Sequence, residues 1–215
     1  MKVIKLNVKT GSKKYPIIIG NDILSKFQSL LKKNLINFNQ CLIIVDKKVP
    51  KKLVRKVLNS ILKKQTTILY FNANEKNKNQ KSIDKIQSIL LSKNFNRNDC
   101  LISIGGGITG DVSGFAASIF KRGLKFVNVP TTLLSQVDSS IGGKTGINTR
   151  FGKNLIGSFY QPDLVVSEIN FLKSLPKREL ICGYGEILKH ALIADRKFFS
   201  FLNKNGSKIL NLKTS

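Results

Sequence analysis

Cysteine is scarce in this sequence, and long apolar runs are absent from it. The 215 residues include three cysteines, Cys41, Cys100 and Cys182, which lie far apart and form no C-x-x-C pair. This spacing indicates neither a disulfide framework nor a thiolate zinc site, so we expect a reducing, cytoplasmic environment. No apolar run approaches the ~18 residues that span a membrane, and the N-terminus does not have the pattern of a secretory signal. We therefore expect no membrane association.

Acidic residues are also few. The chain has 12 Asp+Glu against 37 Lys+Arg, which gives a formal net charge of +25. The excess is concentrated in residues 1–100, and only six of the basic residues are arginine. A nucleic-acid surface would favour arginine, whose planar guanidinium binds phosphates and guanine edges, and would interleave aromatic side chains. The pattern indicates a lysine-rich solvated surface, so we expect no nucleic-acid partner and keep a basic nucleic-acid-binding protein as an alternative.

Short apolar runs alternate with amphipathic stretches along most of the chain. Continuous apolar runs such as 41–45 and 101–104 are typical of parallel strands covered on both faces. The alternation predicts right-handed βαβ units and an α/β fold with a Rossmann-like doubly wound parallel sheet. The predicted strands are 1–8, 17–19, 41–45, 67–71, 101–104 and 126–129, and the predicted helices are 22–33 (capped by Asp22), 49–62, 83–91 and 110–120.

The pattern becomes helical after about residue 175, with helices predicted at 178–193 and from Arg196 onward. We therefore predict an α/β domain at 1–174 and the beginning of an all-helical domain at 175–215. The second segment is too short to bury a core by itself.

Glycines cluster after the predicted strand 101–104. The segment Gly105–Asp111 reads GGGITGD, which satisfies G-x-G-x-x-G and opens a predicted helix. Such glycines let the backbone approach a pyrophosphate, and the helix N-terminus offers free N–H donors. The acid expected about 20 residues later for the ribose is missing, but Asp46 follows a strand and could reach it. The alternatives are a glycine turn required only for packing and, for Asp46, a charge near a helix N-terminus.

A second motif, PTTLLSQVDSSIGGKT, spans residues 130–145. Its GGKT ending is similar to a P-loop, but Asp138 stands where the P-loop has its first glycine, and a carboxylate there would oppose a triphosphate. Asp138 and Lys144, with Lys153 and Asn154 further on, suit a polyhydroxylated, phosphorylated anion. Each residue taken alone could equally be an ordinary surface residue.

A third motif, GYGEILKHA, spans residues 183–191. On a helix Glu186 and Lys189 share a face, so Glu186 could be a metal ligand or a structural ion-pair partner. His190 is the only histidine of the chain. Glu186 and His190 would supply at most half of a zinc site, because catalytic zinc usually takes three protein ligands.

Together the three motifs resemble the 3-dehydroquinate synthase family. The match is nearly gap-free from Gly105 to Asp195 and looser before it, where Asn74 replaces the glycine of a G-E-x-x-K motif. The resemblance implies a phosphate-eliminating lyase of the shikimate pathway that converts 3-deoxy-D-arabino-heptulosonate 7-phosphate to 3-dehydroquinate. It also implies a catalytic NAD that oxidises and then re-reduces a ring hydroxyl, a divalent metal (zinc or cobalt), and a homodimer of the complete enzyme.

The resemblance assigns site residues position by position, and makes 1–174 the NAD-binding domain. The implied NAD contacts are Asp46, Glu75, Lys78, Gly106, Gly107, Asp111, Thr131, Thr132, Lys144, Lys153, Phe171, Leu172, Lys173 and Ser174. The implied substrate and catalytic residues are Asp138, Lys144, Asn154 and Lys189, and Glu186 is the implied metal ligand.

The chain also departs from the family. Two histidine ligands that the family supplies from a later region have no counterpart here, and His190 stands at a position that the family does not use for metal. We therefore expect a chain equivalent to roughly the first 60% of the enzyme, as a fragment, a frameshift product or part of a split gene, with weak zinc binding and little activity. The alternatives are an inactive NAD-binding remnant and the metal-dependent alcohol dehydrogenases, which share the glycine-rich turn but lack the second motif.

Overall fold

The structure is a computed structural model, and it describes residues 3–211. Met1 and Lys2 of the predicted first strand, and residues 212–215 of the predicted helical segment, lie outside the described residues. A seven-stranded sheet carries the fold, and a separate two-stranded hairpin lies beside it. The strands are β1 (Ile4–Lys9), β2 (Lys14–Gly20), β3 (Gln40–Asp46), β4 (Gln65–Phe71), β5 (Cys100–Gly105), β6 (Lys125–Pro130), β7 (Lys144–Thr149), β8 (Gly152–Phe159) and β9 (Leu164–Glu168).

Helices cover both faces of the large sheet. The helices on these faces are α1 (Phe27–Lys33), α2 (Lys51–Ser60), α3 (Gln80–Ser92) and α4 (Gly107–Ile119), and two further helices, α5 (Lys177–Ala194) and α6 (Arg196–Leu210), follow β9. Short 3₁₀ turns lie at Leu24–Lys26, Glu75–Asn77, Phe120–Arg122 and Ile169–Ser174, and a π-helical turn lies at Ser135–Ser139. Within the described range, none of the helices has the length and apolar character that crossing a membrane requires.

The strand order of the large sheet is β1-β2-β9-β6-β5-β3-β4. Every neighbouring pair is parallel except β1 and β2, which are antiparallel. The predicted doubly wound α/β fold is confirmed, with one antiparallel strand added at the edge. β1 is antiparallel to β2 because the four residues between them can close a hairpin but are too few for a parallel crossover.

The two faces of the sheet bury separate apolar clusters. On one face α1 and α2 pack against Ile43 and Val45 of β3, and on the other α3 and α4 pack against Leu42 and Ile44. Every residue of β3, β5 and β9 is buried. Burial on both faces explains why these strands read as continuous apolar runs.

Several local predictions were wrong. Asp22 does not cap a helix: its backbone has φ 54° and its carboxylate pairs with Lys56 at 2.6 Å, so α1 begins only at Phe27 after a 3₁₀ turn. The helix predicted from Gly110 begins at Gly107. The β7–β8 hairpin and β9 were missed altogether.

Candidate functional site at the carboxyl edge of the sheet

An open cleft of about 650 Å³ lies where β5 and β6 end. Its walls come from α4, the π-helical turn Ser135–Ser139 and both strands of the β7–β8 hairpin. From β3 the chain continues to β4 on one side and from β5 to β6 on the other, so the strand order reverses between β3 and β5. Open α/β sheets bind ligands outside the carboxyl ends of their strands at such a reversal. Of the predicted site residues, this cleft is lined by Asp111, Asp138, Lys144 and Asn154.

The glycine turn between β5 and α4 is crowded by side chains. A Cβ on Gly105 would lie 2.5 Å from Thr109 Oγ1, and one on Gly107 would lie 2.8 Å from Ser139 Oγ. Gly106 is the N-cap residue of α4, and no side chain caps this helix. The first turn of α4 therefore has no side-chain cap, and Gly107 lies beside Ser139, which lines the cleft. An uncapped helix N-terminus is an arrangement that can bind an anion.

Asp46 ends β3, close to the glycine turn. Its Oδ1 accepts a hydrogen bond from the Lys48 backbone N at 3.1 Å, so the side chain closes the turn after β3 rather than capping α2. Burial raises the pKa of this carboxyl above its usual value. Backbone hydrogen bonds from Lys48 and Ala73 and the charge of Lys48 partly offset this rise.

Thr131 and Thr132 follow β6 directly. The Thr131 N donates to Gly105 O at 2.9 Å and ties the two strand ends together. The Thr132 Oγ1 donates to Ser135 Oγ at 2.9 Å and accepts from the Ser135 N at 3.2 Å. Both threonines thus shape the wall beside the glycine turn.

A cluster around the buried Lys78, which we call the buried cluster, joins three separate segments and also contains the half-buried Asp111 and the exposed Asn154. The Lys78 Nζ donates to Asp111 Oδ2 at 2.5 Å and to Asn154 Oδ1 at 2.6 Å. The Lys78 side chain is 7% exposed and that of Asp111 is 23% exposed. Burial raises the pKa of Asp111, partly offset by the hydrogen bond and charge of Lys78. Asn154 has φ 57°, a left-handed conformation that asparagine tolerates better than most residues.

Glu75 and Lys153 lie at the outer rim. The Glu75 carboxylate accepts from Asn148 Nδ2 at 2.7 Å and lies 3.6 Å from Lys153 Nζ. The hydrogen bond from Asn148, followed by the charges of Lys153 and Lys78, lowers the pKa of Glu75 despite some desolvation. Lys153 is exposed and does not line the cleft in this conformation.

The four residues from Phe171 to Ser174 lie in a 3₁₀ turn after β9. Phe171 is 1% exposed and belongs to the apolar cluster under α1 and α2. Its side chain is therefore part of the core, and a ligand could meet only its backbone. Leu172 is half-buried, whereas Lys173 and Ser174 are exposed.

Helix α5 approaches the cleft closely at Gly183. A Cβ at this position would lie 2.6 Å from the side chain of Leu133 and from the backbone N of Leu134, so the helix contacts the backbone just before the π-helical turn. This contact brings together a helix cluster consisting of Asp138, Glu186, Lys189 and His190. Lys189 Nζ contacts the Glu186 carboxylate, and His190 Nε2 lies 3.3 Å from Glu186 Oε1.

The helix cluster contains a set of possible metal ligands. One ligand atom each from Asp138, Glu186 and His190 lies within 4.8 Å of the others. Two carboxylate oxygens and an imidazole nitrogen are suitable donors for zinc or cobalt, and three is the usual number of protein ligands at a catalytic zinc. The residues present therefore fit a divalent metal better than Glu186 alone would.

Sequence reasoning paired Glu186 with His190 as at most half of a zinc site, but it missed Asp138 as their neighbour. The spacing of Glu186 and His190 was a usable signal, since residues four apart share a helix face. The sequence contains no such signal for Asp138, because this residue comes close to Glu186 only through the packing of α5 at Gly183. Ser139 was also missed: its Oγ is buried beside Gly107 without a hydrogen-bond partner in the described structure.

The fold and the cleft define a doubly wound α/β protein with a ligand site at the carboxyl edge of its sheet. The family model for the N-terminal part of 3-dehydroquinate synthase matches residues 68–182, more than half of the chain. The 3-dehydroquinate synthase of Pelagibacter ubique (strain HTCC1062) is 71% identical over 214 residues, covering 100% of this chain and 58% of that relative. The chain belongs to the 3-dehydroquinate synthase family, as the motifs predicted, and spans little more than half the length of this relative.

Two solved structures share the fold. One is 2-epi-5-epi-valiolone synthase from Streptomyces hygroscopicus subsp. jinggangensis 5008 with NAD+ and Zn2+ bound, at 26% identity and a TM-score of 0.83, covering 98% of this chain and 57% of that one. The other is 2-deoxy-scyllo-inosose synthase complexed with carbaglucose-6-phosphate, NAD+ and Co2+, at 29% identity and a TM-score of 0.82, covering 88% and 52%.

Proposed function

We propose that this chain carries the NAD-binding part and one wall of the substrate site of a 3-dehydroquinate synthase. The substrate would be 3-deoxy-D-arabino-heptulosonate 7-phosphate, and the products 3-dehydroquinate and phosphate. The observation that carries the proposal is the cleft lined by Asp138, Lys144 and Asn154, beside which the uncapped N-terminus of α4 lies at Ser139. The related structures with NAD+ and a divalent metal support the same cofactors here.

The proposed dinucleotide site runs across the ends of β3 and β5. The backbone N–H groups at the start of α4 would bind the pyrophosphate, because Gly106 and Gly107 present no side chains there. The Asp46 carboxylate would accept hydrogen bonds from a ribose. NAD supplies hydride transfer to and from a substrate hydroxyl. Glu75, Lys78, Asp111, Thr131, Thr132, Lys144, Lys153 and the segment from Phe171 to Ser174 remain proposed contacts.

The substrate carries a carboxylate and a phosphate, so the cleft needs cationic donors. Lys144 lines the cleft and is exposed, which leaves its ammonium group available for charge-assisted hydrogen bonds to an anion. Lys189 on α5 is exposed as well and contacts Glu186, so it would leave this ion pair to bind the anion. The Asp138 carboxylate would accept a hydrogen bond from a substrate hydroxyl, and Asn154 would orient another. A divalent metal, zinc or cobalt, would polarise the hydroxyl that is oxidised, with Glu186 as one ligand.

The remaining family properties are proposals as well. We place the NAD-binding domain at 1–174 and the start of the helical metal and substrate domain at 175–215. The complete protein would be a cytoplasmic homodimer. Support comes from α5, which leaves the α/β layers and packs on α6 instead.

An NAD titration tests the cofactor site. Gly107→Ala should weaken NAD binding by about tenfold or more, because the new methyl group meets Ser139 Oγ and obstructs the helix N-terminus. Gly11→Ala is a matched control, since a Cβ at Gly11 meets nothing within 4 Å. Equal affinity in the two variants, measured by calorimetry, would contradict the proposed pyrophosphate site.

A phosphate-release assay separates the proposal from its alternative. We expect this 215-residue chain to release little phosphate from substrate with NAD and zinc, because relatives are longer. NAD binding without phosphate release, even after the missing half is supplied as a second chain from the relative, would favour a non-catalytic NAD-binding remnant. Restored turnover would support the synthase.

A further inference from the structure

We propose that Asn148, to which the family resemblance assigns no role, is a positioning residue of the proposed NAD site. It hydrogen-bonds to three residues that the resemblance does assign to ligands, namely Glu75, Lys78 and Asn154. The inference rests on the proposed function, because a positioning residue needs the cofactor site that it serves. Asn148 itself contacts no ligand in this account and acts by holding its neighbours in place.

The first argument is the local backbone of the hairpin. The pairing of β7 with β8 is irregular on either side of Asn148. The paired residues that flank the irregularity are Ile147 with Ile156 and Thr149 with Gly152. One residue of β7 therefore faces three residues of β8 at this point. Irregular pairing of this kind frees backbone groups from the ladder and re-aims side chains, and it is common beside active sites.

Asn148 uses its polar groups to join β7 to two other segments. Its backbone N donates to the carbonyl O of Lys78 at 2.8 Å, and its side-chain Oδ1 accepts from the backbone N of Asn154 at 3.1 Å. Its Nδ2 donates to the Glu75 carboxylate at 2.7 Å and to the Glu75 carbonyl O at 3.3 Å. Both polar atoms of the side chain therefore bind residues that the resemblance assigns to ligands.

The second argument concerns the conformation of Asn154. This residue has φ 57°, a left-handed conformation that costs energy in any residue but glycine. The bond from its backbone N to Asn148 Oδ1 holds it from one side, and the bond from Lys78 Nζ to its own Oδ1 holds it from the other. If Asn148 loses its side chain, only the second of these two bonds remains. The Asn154 amide would then be less well placed to orient a ligand in the cleft.

The third argument concerns Glu75 at the rim. One carboxylate oxygen, Oε2, accepts from Asn148 at 2.7 Å and lies 3.6 Å from Lys153 Nζ. The side chains of Lys153 and Glu75 are 70% and 54% exposed, so their ion pair is weak and separates easily. The hydrogen bond from Asn148 is also the largest cause of the lowered pKa of Glu75. Asn148 therefore holds the Glu75 carboxylate even when Lys153 leaves it to bind an anion.

The test is a double-mutant cycle on the NAD affinity of the 215-residue chain, measured by calorimetry. Asn148→Ala should weaken NAD binding by about tenfold, because Glu75 and Asn154 both lose a hydrogen bond that fixes them. In a Glu75→Ala background the same substitution should weaken binding by about threefold or less, because the part of the effect that passes through Glu75 is already gone. An effect of Asn148 on the fold alone would be equal in both backgrounds.

Asn148→Asp separates the two side-chain contacts. Aspartate keeps an oxygen for the Asn154 amide, but it loses the donor to Glu75 and places a second carboxylate beside it. We expect Asn148→Asp to bind NAD at least as weakly as Asn148→Ala and to raise the pKa of Glu75 in a ¹³C NMR titration of labelled glutamate. The cations that face Glu75, Lys153 and Lys78, are the same in all variants. The chain has four glutamates, so comparison with Glu75→Ala assigns the signal.

Thr149→Ala is the matched control. Thr149 is the next residue of β7, and its Oγ1 hydrogen-bonds within the hairpin turn, donating to Gly152 O and accepting from Phe151 N. Its loss should leave both the NAD affinity and the pKa of Glu75 unchanged. Thermal unfolding should show that every variant is folded.

The outcomes separate this inference from the proposed function. If the unaltered chain binds NAD and Asn148→Ala binds it equally well, or loses as much affinity without Glu75 as with it, the inference is overturned and the cofactor site stands. An unchanged pKa of Glu75 in Asn148→Asp would overturn it as well. If the unaltered chain does not bind NAD, the proposed function fails and this inference fails with it.

Discussion

The cleft contains two clusters of charged side chains that differ in burial. In the buried cluster Lys78 is 7% exposed and holds Asp111 and Asn154. In the helix cluster Lys189 is 55% exposed and contacts Glu186 beside Asp138 and His190. When one partner of a buried ion pair is removed, the remaining charge is left without a partner and poorly solvated. In an exposed pair, water can solvate the remaining charge, so the loss of stability is small.

This difference assigns the clusters different tasks. The buried cluster joins the turn after β4, helix α4 and the hairpin, so it fixes the shape of the wall. In the helix cluster the side chains of Lys189 and His190 are more than half exposed, so they can rotate away from Glu186 at little cost. The family resemblance treated Lys78, Asp111 and Lys189 alike as ligand contacts. Their burial separates a group that holds the site from a group that can respond to its contents.

The largest expected effect is that of breaking the buried cluster. Lys78→Met should lower the free energy of unfolding by about 3 kcal/mol, because Asp111 keeps a mostly buried charge without its partner. The control is Lys153→Met, which removes an exposed lysine 3.6 Å from Glu75 and should change stability by less than about 1 kcal/mol. Urea unfolding measures both. Equal losses in the two variants would mean that burial does not distinguish these ion pairs.

The next effect concerns the contact of α5 with the cleft. Gly183→Ala should destabilise the fold by about 1–3 kcal/mol, because its methyl group meets the Leu133 side chain and the Leu134 backbone. Gly185→Ala on the same helix is the matched control: its Cβ meets nothing within 4 Å, so alanine should stabilise the helix by up to about 1 kcal/mol. Thermal unfolding should therefore give shifts of opposite sign. Shifts of the same sign would show that the helix does not pack tightly at Gly183.

Much of this fold could be predicted from the sequence. The runs at β3 and β5 are apolar throughout because helices cover both faces, and the glycine turn followed the spacing of a known motif. The β7–β8 hairpin was missed because its residues are glycine-rich and mostly polar or exposed, with no apolar run to mark a strand. β9 was missed although all its residues are buried, since it has only five.

The site was predictable as a set of residues but not as a set of contacts. Lys78 bonds to Asp111 and to Asn154 across sequence separations of 33 and 76 residues, and no periodicity links positions so far apart. The motifs identified each residue separately, because motifs record residue type and local spacing. Which residues pair with each other depends on the packing of whole elements.

The smallest effect is a pH dependence that tests why Lys78 matters. Burial raises the pKa of Asp111 above its usual value even with Lys78 present, and Lys78→Met should raise it further. A raised folded-state pKa of an acid means that the native state binds the proton more tightly, so stability falls as pH rises from the unfolded pKa through the folded one. The destabilisation by Lys78→Met should therefore be smaller at pH 4.5 than at pH 7, by about 1 kcal/mol for each unit of additional pKa shift.

Urea unfolding of the Lys78→Met and Asp111→Asn variants and of the double variant measures this, because the double variant has no carboxylate to protonate at position 111. If the double variant shows the same pH dependence as Lys78→Met alone, the stranded charge of Asp111 is not the cause.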